Sequence, residues 1–128
     1  MRALLDTHAL IWWFSGDPSL PQIARDIIAD TDNILVVSAA SAWEIAIKFQ
    51  QGKLRKVGEL VSNFTSEIER EGFQLLPIST EHGIRAGLLP RHHKDIFDRM
   101  LIAQAQAENV PIISNEVVFE TYGVRRLW

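Results

Sequence analysis

The run Arg2-Ala3-Leu4-Leu5, ending abruptly in Asp6-Thr7-His8, constrains the fold of this chain more than any other stretch. A short apolar run closed by a helix-capping carboxylate marks a buried strand handing over to a helix. Asp6 then stands at the carboxyl end of a central strand, where open α/β sheets collect their ligands. Glu44, Asp98 and Glu116 repeat the device at later junctions, and the four carboxylates are expected to meet on one rim of the sheet.

The rest of the chain alternates strand and helix signals without a repeat or a linker. Strand-length apolar runs lie at residues 34–37, 73–76, 111–113 and 124–127. Helical patterns fill residues 7–14, 21–29, 38–51, 80–86, 95–108 and 116–122, and one more helical segment carries Leu60, Val61, Phe64 and Ile68 at one spacing. Strands separated by helices imply a parallel sheet of about five strands with helices on both faces, because each crossover is right-handed and lays its helix on the sheet. Residues 1–128 read as a single domain.

Composition excludes several classes. With 47% hydrophobic and 23% charged residues, a chain of 128 residues buries enough surface to fold as a soluble domain without a staple. It has no cysteine, so disulfide frameworks and thiolate sites are ruled out. The stretch before Asp6 is too short for a signal peptide, and no apolar run approaches the ~20 residues of a membrane span. A cytoplasmic protein with no membrane partner is expected. A net charge of -3 argues against a surface that grips nucleic acid everywhere. Local basic runs remain at residues 53–56 and 91–94, and each alone reads as a solvated loop.

Each carboxylate has a structural explanation beside the chemical one. Asp6 reads also as an N-cap, Ser41 to Glu44 and Asp95 to Asp98 as capping boxes, and Glu116 as a charge answering a helix dipole. Glu44 is the sharpest case. Its helix is apolar almost all round, so a carboxylate there is costly unless a cation or hydrogen bonds meet it, and Lys48 lies one turn on. Four carboxylates without a thiolate make an all-oxygen donor set, which suits Mg²⁺ or Mn²⁺ over zinc. Mg²⁺ commonly shares its site with phosphate oxygens, which implies a phosphodiester or phosphoryl substrate.

Together these stretches resemble the PIN-domain ribonucleases, in particular the VapC-like toxins. The resemblance is carried by residues 4–10 (LLDTHAL), 38–46 (SAASAWEIA), 95–105 (DIFDRMLIAQA) and 114–119 (SNEVVF), with Tyr122-Gly123-Val124 at the close. It implies a three-layer α/β/α fold and metal-dependent endoribonuclease activity with Mg²⁺ or Mn²⁺. It also implies restraint by a cognate VapB-like antitoxin, and a homodimer. Asp6, Glu44 and Asp98 fall on the family's acidic positions. Glu116 stands where the family usually has Asp, in a motif whose Thr is here Ser114. Asp95 is expected to cap rather than to ligate.

Thr7, Ser38, Arg99 and Ser114 are candidate substrate-contacting residues. Thr7 has the alternatives of bonding the Asp6 carboxylate or capping a helix, Ser38 that of ending a strand, and Arg99 that of pairing with Asp95. His8, His92 and His93 read as surface or capping residues, and Trp12, Trp13 and Trp43 as core. Two rival classes fail on residues: a haloacid-dehalogenase phosphatase needs a second Asp where His8 stands, and a receiver domain needs paired acids and a late Lys. The non-enzymatic rival is a PIN-like domain that only binds RNA or protein.

Overall fold

The computed structural model describes residues 1–54 and 57–128. Strands β1 (Arg2–Leu5), β2 (Ile34–Ser38), β3 (Gln74–Leu76), β4 (Ile112–Ile113) and β5 (Arg126–Leu127) form one parallel sheet in the order β3-β2-β1-β4-β5. Leu4 pairs with Val36 on one side and Ile112 on the other, so β1 is central. A strand covered on both faces needs apolar side chains on both, which is why β1 and β2 read as unbroken apolar runs.

The helices are α1 (Thr7–Ser15), α2 (Gln22–Ala29), α3 (Ala39–Gln50), α4 (Gly58–Ser62), α5 (Phe64–Arg70), α6 (Thr80–Leu88), α7 (Ile96–Glu108) and α8 (Val118–Thr121). Successive strand side chains point to opposite faces. Ala3 and Leu5 therefore join Leu35 and Val37 in one core with Leu10, Ile28, Ile45 and Ile68. Leu4, Val36 and Ile112 build a second core with Leu101, Ile102, Ala105 and Phe119. The two cores, one on each face of the sheet, make the three layers that the alternation of elements implies.

The winding order places the site. From β1 the chain moves outward through β2 to β3, then restarts at β4 on the other side of β1 and ends at β5. Where the winding reverses, a crevice opens outside the carboxyl ends of the strands. Asp6 and Ser114, the residues that follow β1 and β4, stand at that point.

Some local expectations are corrected. The segment read as one helix around Leu60 to Ile68 is two, broken at Asn63 (φ -130°, ψ 38°). Asn competes for backbone hydrogen bonds and so favours breaks, and Leu60 and Ile68 on either side both reach the first core. The helix placed at Glu116 begins at Val118, which leaves Glu116 in the preceding loop. Arg55 and Lys56 of the basic run at 53–56 lie outside the described residues. Among the described residues, no helix is long and apolar enough to cross a membrane.

Candidate active site

Asp6 stands at the N-cap position of α1, yet its side chain makes no capping bond. The backbone alone secures the junction: the Asp6 N–H donates to the Ile113 carbonyl (3.1 Å) and its carbonyl accepts from Leu10 (3.0 Å). The carboxylate is thereby left to other uses. It is 1% exposed, and its Oδ2 accepts a 2.6 Å hydrogen bond from the Ser114 hydroxyl. Its Oδ1 is buried with no hydrogen-bond partner among the described residues. Burial pushes the Asp6 carboxyl up from its ordinary 3.8 to about 6; the Ser114 bond holds it back and the charge of Asp98 adds to the rise.

Asp98 sits in the first turn of α7, where Asp95 is the N-cap and accepts from the N–H groups of Phe97 and Asp98 (both 2.9 Å). Asp95 is therefore the cap, as expected, and Asp98 is free of that duty. Burial also raises the Asp98 carboxyl, against the hydrogen bond from His93, while the charges of Asp95 and Glu44 push it further. Glu44, on α3, is nearly buried, and its Oε2 takes a 2.8 Å ion pair from Lys48. The Ser41–Glu44 capping box does not form, because Ser38 caps α3 through the Ala40 N–H (2.9 Å).

The expectation that the four carboxylates meet is met only in part. Asp6 feels the charge of Asp98, and Asp98 that of Glu44. Among the described residues, however, no three His, Asp or Glu side chains lie close enough together to form a metal cage. Each of the three has its own partner: Ser114 for Asp6, His93 for Asp98 and Lys48 for Glu44. Glu116 is half-buried in the loop after β4, where its backbone N–H donates to the Ser114 Oγ (2.9 Å).

The four residues expected to touch substrate each have partners within the fold. Ser114 and Ser38 are fully buried and Thr7 is 1% exposed. The Thr7 hydroxyl bonds that of Ser41 (2.9 Å) rather than the Asp6 carboxylate, so it ties α1 to α3. Among the described residues, Arg99 makes no ion pair with Asp95. Its guanidinium donates to the carbonyls of Ala86, Leu89, Pro90 and His93 at 2.9–3.2 Å, with Gly87 at 3.5 Å. An Arg one position from an acid looked electrostatic in sequence. In the fold it meets the frayed end of α6, where unpaired carbonyls concentrate.

Trp43 corrects the reading of the tryptophans. Trp12 and Trp13 pack against the first core, but Trp43 is 53% exposed and set edge-on to Phe97 (centroids 4.8 Å apart). Sequence reasoning also undervalued His93, whose Nε2 lies 2.8 Å from Asp98 Oδ2. The signal was present, a histidine within five residues of a candidate ligand, but its direction was not.

The orphaned, buried Asp6 Oδ1 is a single oxygen donor of the kind a hard divalent cation takes. The family model described as "PIN domain" matches residues 3–124. The chain belongs to the PIN-domain family. This PIN domain is 40% identical over 58 residues to Ribonuclease VapC16 of Mycobacterium tuberculosis, a match spanning 45% of the chain and 40% of that protein. The chain thus matches less than half the length of that curated relative. Among solved structures, VapBC2 from Rickettsia felis, bound to a DNA fragment from its promoter, superposes with a TM-score of 0.69 at 16% identity, over 98% of this chain and 97% of that one. A toxin-antitoxin complex from Klebsiella pneumoniae gives 0.56 at 20% identity, over 89% and 86%. At such identities the likeness is one of fold.

Proposed function

We propose that this PIN domain, taken as one unit over residues 1–128, is a metal-dependent endoribonuclease and the toxin of a toxin–antitoxin pair. The observation that carries the reading is the unpartnered Oδ1 of Asp6, buried beside the like charge of Asp98 at the switch point of the sheet. A lone buried carboxylate oxygen costs roughly 1–3 kcal/mol, more when charged, so a site that keeps one has a use for it. Asp6 and Asp98 would hold Mg²⁺ or Mn²⁺, with Glu44 alongside and Glu116 acting from its loop. Such an ion supplies a lowered pKa to bound water and neutralises charge on a phosphodiester.

The chain's own residues prepare that chemistry. Ser114 fixes Asp6, Lys48 restrains Glu44, and Arg91 and Lys94 line a pocket with His93 beside Asp98, where positive charge would draw RNA phosphates. The likeness to a mycobacterial ribonuclease supports RNA as substrate, and the likeness to a solved toxin-antitoxin complex supports an antitoxin as partner. Trp43, Phe49 and Ile96, all exposed, offer apolar surface to an antitoxin or to a second copy in a homodimer. Cytoplasmic residence follows from RNA as the target.

The test is cleavage of RNA by purified protein in Mg²⁺ or Mn²⁺. Asp6→Asn and Asp98→Asn, folded by circular dichroism, are expected to lose it, and excess chelator to abolish it. Cleavage at the wild-type rate by either folded variant, or in chelator, overturns the reading in favour of a domain that only binds.

A further inference from the structure

The loop between α6 and α7 is held far more firmly than its lack of regular structure suggests. At one end, the Tyr122 hydroxyl accepts from the His92 N–H (3.0 Å) and donates to the Pro90 carbonyl (2.6 Å). At the other, Arg99 donates to the His93 carbonyl (3.2 Å) and to Pro90 (3.2 Å), while its second nitrogen grips the end of α6. The backbone of His93 is therefore bracketed on both sides. Its imidazole, 28% exposed, projects from this fixed base to Asp98 Oδ2 at 2.8 Å.

We propose that His93 is a positioning residue for Asp98, committing one carboxylate oxygen by hydrogen bond so that the other is presented to the divalent cation. Arg99 completes a closed circuit: it neighbours Asp98 in the chain and holds the backbone of the residue that holds Asp98. A carboxylate without an outer hydrogen bond samples more than one rotamer, and fixing it in advance removes an ordering cost that metal binding would otherwise meet. The same placement explains why Arg99, half-buried, is surrounded by carbonyls. It serves the site through His93, not by contact with substrate.

This inference rests on the proposed metal site, and the experiment separates the two. Mn²⁺ binding to RNA-free protein is measured by calorimetry at pH 8 for wild type, His93→Ala, His93→Leu and His93→Gln. Folding is checked for each by unfolding midpoint. Loss of an outer hydrogen bond to a ligand typically weakens metal binding about 10- to 100-fold, and that loss is expected for the Ala and Leu variants. Gln carries an amide N–H at a reach close to that of Nε2 and is expected to restore binding to within about 3-fold of wild type, since it renews the same outer hydrogen bond. Wild-type affinity in a folded His93→Ala or His93→Leu overturns the positioning role, as does a folded His93→Gln as weak as they are. If the wild type takes up no Mn²⁺, the metal reading falls and this inference with it.

Discussion

The Ser114 hydroxyl donates to Asp6 Oδ2 across 2.6 Å and 108 positions of sequence, and the Ser114 Oγ itself accepts from the Glu116 N–H at 2.9 Å. One buried hydroxyl thus orients the central carboxylate and fixes the loop that carries Glu116. Its loss is expected to be felt in both. Ser114→Ala removes a hydrogen bond to a charged group, worth about 1.5–3 kcal/mol. Urea unfolding at pH 8 in chelator is expected to show that loss, with Mn²⁺ binding weakened in parallel. An unchanged midpoint would mean that water replaces the hydroxyl.

Asp6 gives stability an unusual pH dependence. Its carboxyl titrates near 3.8 when unfolded and about 6 when folded, so the native state holds the proton more tightly. The stability contributed by the neutral form is fully present below about 4 and is lost as pH rises through about 6. Asp98 shifts in the same direction. Calorimetric melting in chelator is expected to show Asp6→Asn gaining on wild type as pH rises from 4 to 7. Parallel curves for the two proteins would refute this. Metal binding, which needs the carboxylate, is expected to weaken by about tenfold per pH unit below the Asp6 titration.

Lys48→Ala strands Glu44, whose side chain is only 7% exposed, without its cation. Breaking a buried pair costs about 3–5 kcal/mol. The 29% exposure of Lys48 lowers the expected loss here to about 1–3 kcal/mol. Because a divalent ion would supply the missing charge, Mn²⁺ is expected to recover part of that loss in urea titrations. Identical losses with and without Mn²⁺ would remove Glu44 from the metal's neighbourhood.

Glu116 stands in a loop whose backbone is anchored to Ser114, and its proposed part in the site would be played from there. Glu116→Gln is expected to raise the Mg²⁺ concentration for half-maximal cleavage about tenfold, the lower end of outer-ligand effects, with little change in unfolding midpoint. Glu116→Asp is expected to be tolerated or better. Unchanged Mg²⁺ dependence in Glu116→Gln would reduce the residue to a charge near α8.

In cells, expression without a partner is expected to arrest growth, and co-expression of a small protein with an Arg-bearing tail to relieve it. Arg binds carboxylates bidentately and would compete for the acids of the site. Colony counts with wild type and Asp6→Asn measure this. Equal growth of the two, in a strain without an antitoxin, would contradict the toxin role.

The sheet, its parallel sense and the placing of Asp6 and Asp98 were legible because each is written locally, as an apolar run with a capping residue at its end. What escaped is the direction in which side chains turn. Spacing made Trp43 part of an apolar helix, but Ala39, Trp43 and Ala46 fall together on its outward face. The sequence set Thr7 beside Asp6, while the fold turns its hydroxyl to Ser41, 34 positions away. Arg99 read as a charge, and the carbonyls that claim it belong to the end of another helix. Such contacts depend on rotamers and on elements distant in sequence, which periodicity does not encode.

The central position of β1 also sets an order in time. Of its two neighbours, β1 gains the second only with β4, more than a hundred residues later, and closing so long a loop is slow. A chain still emerging from the ribosome holds Asp6 without Ser114, and so without the hydroxyl that orients it. The orientation of the central carboxylate is therefore a late event, set only when the segment carrying Ser114 joins the sheet.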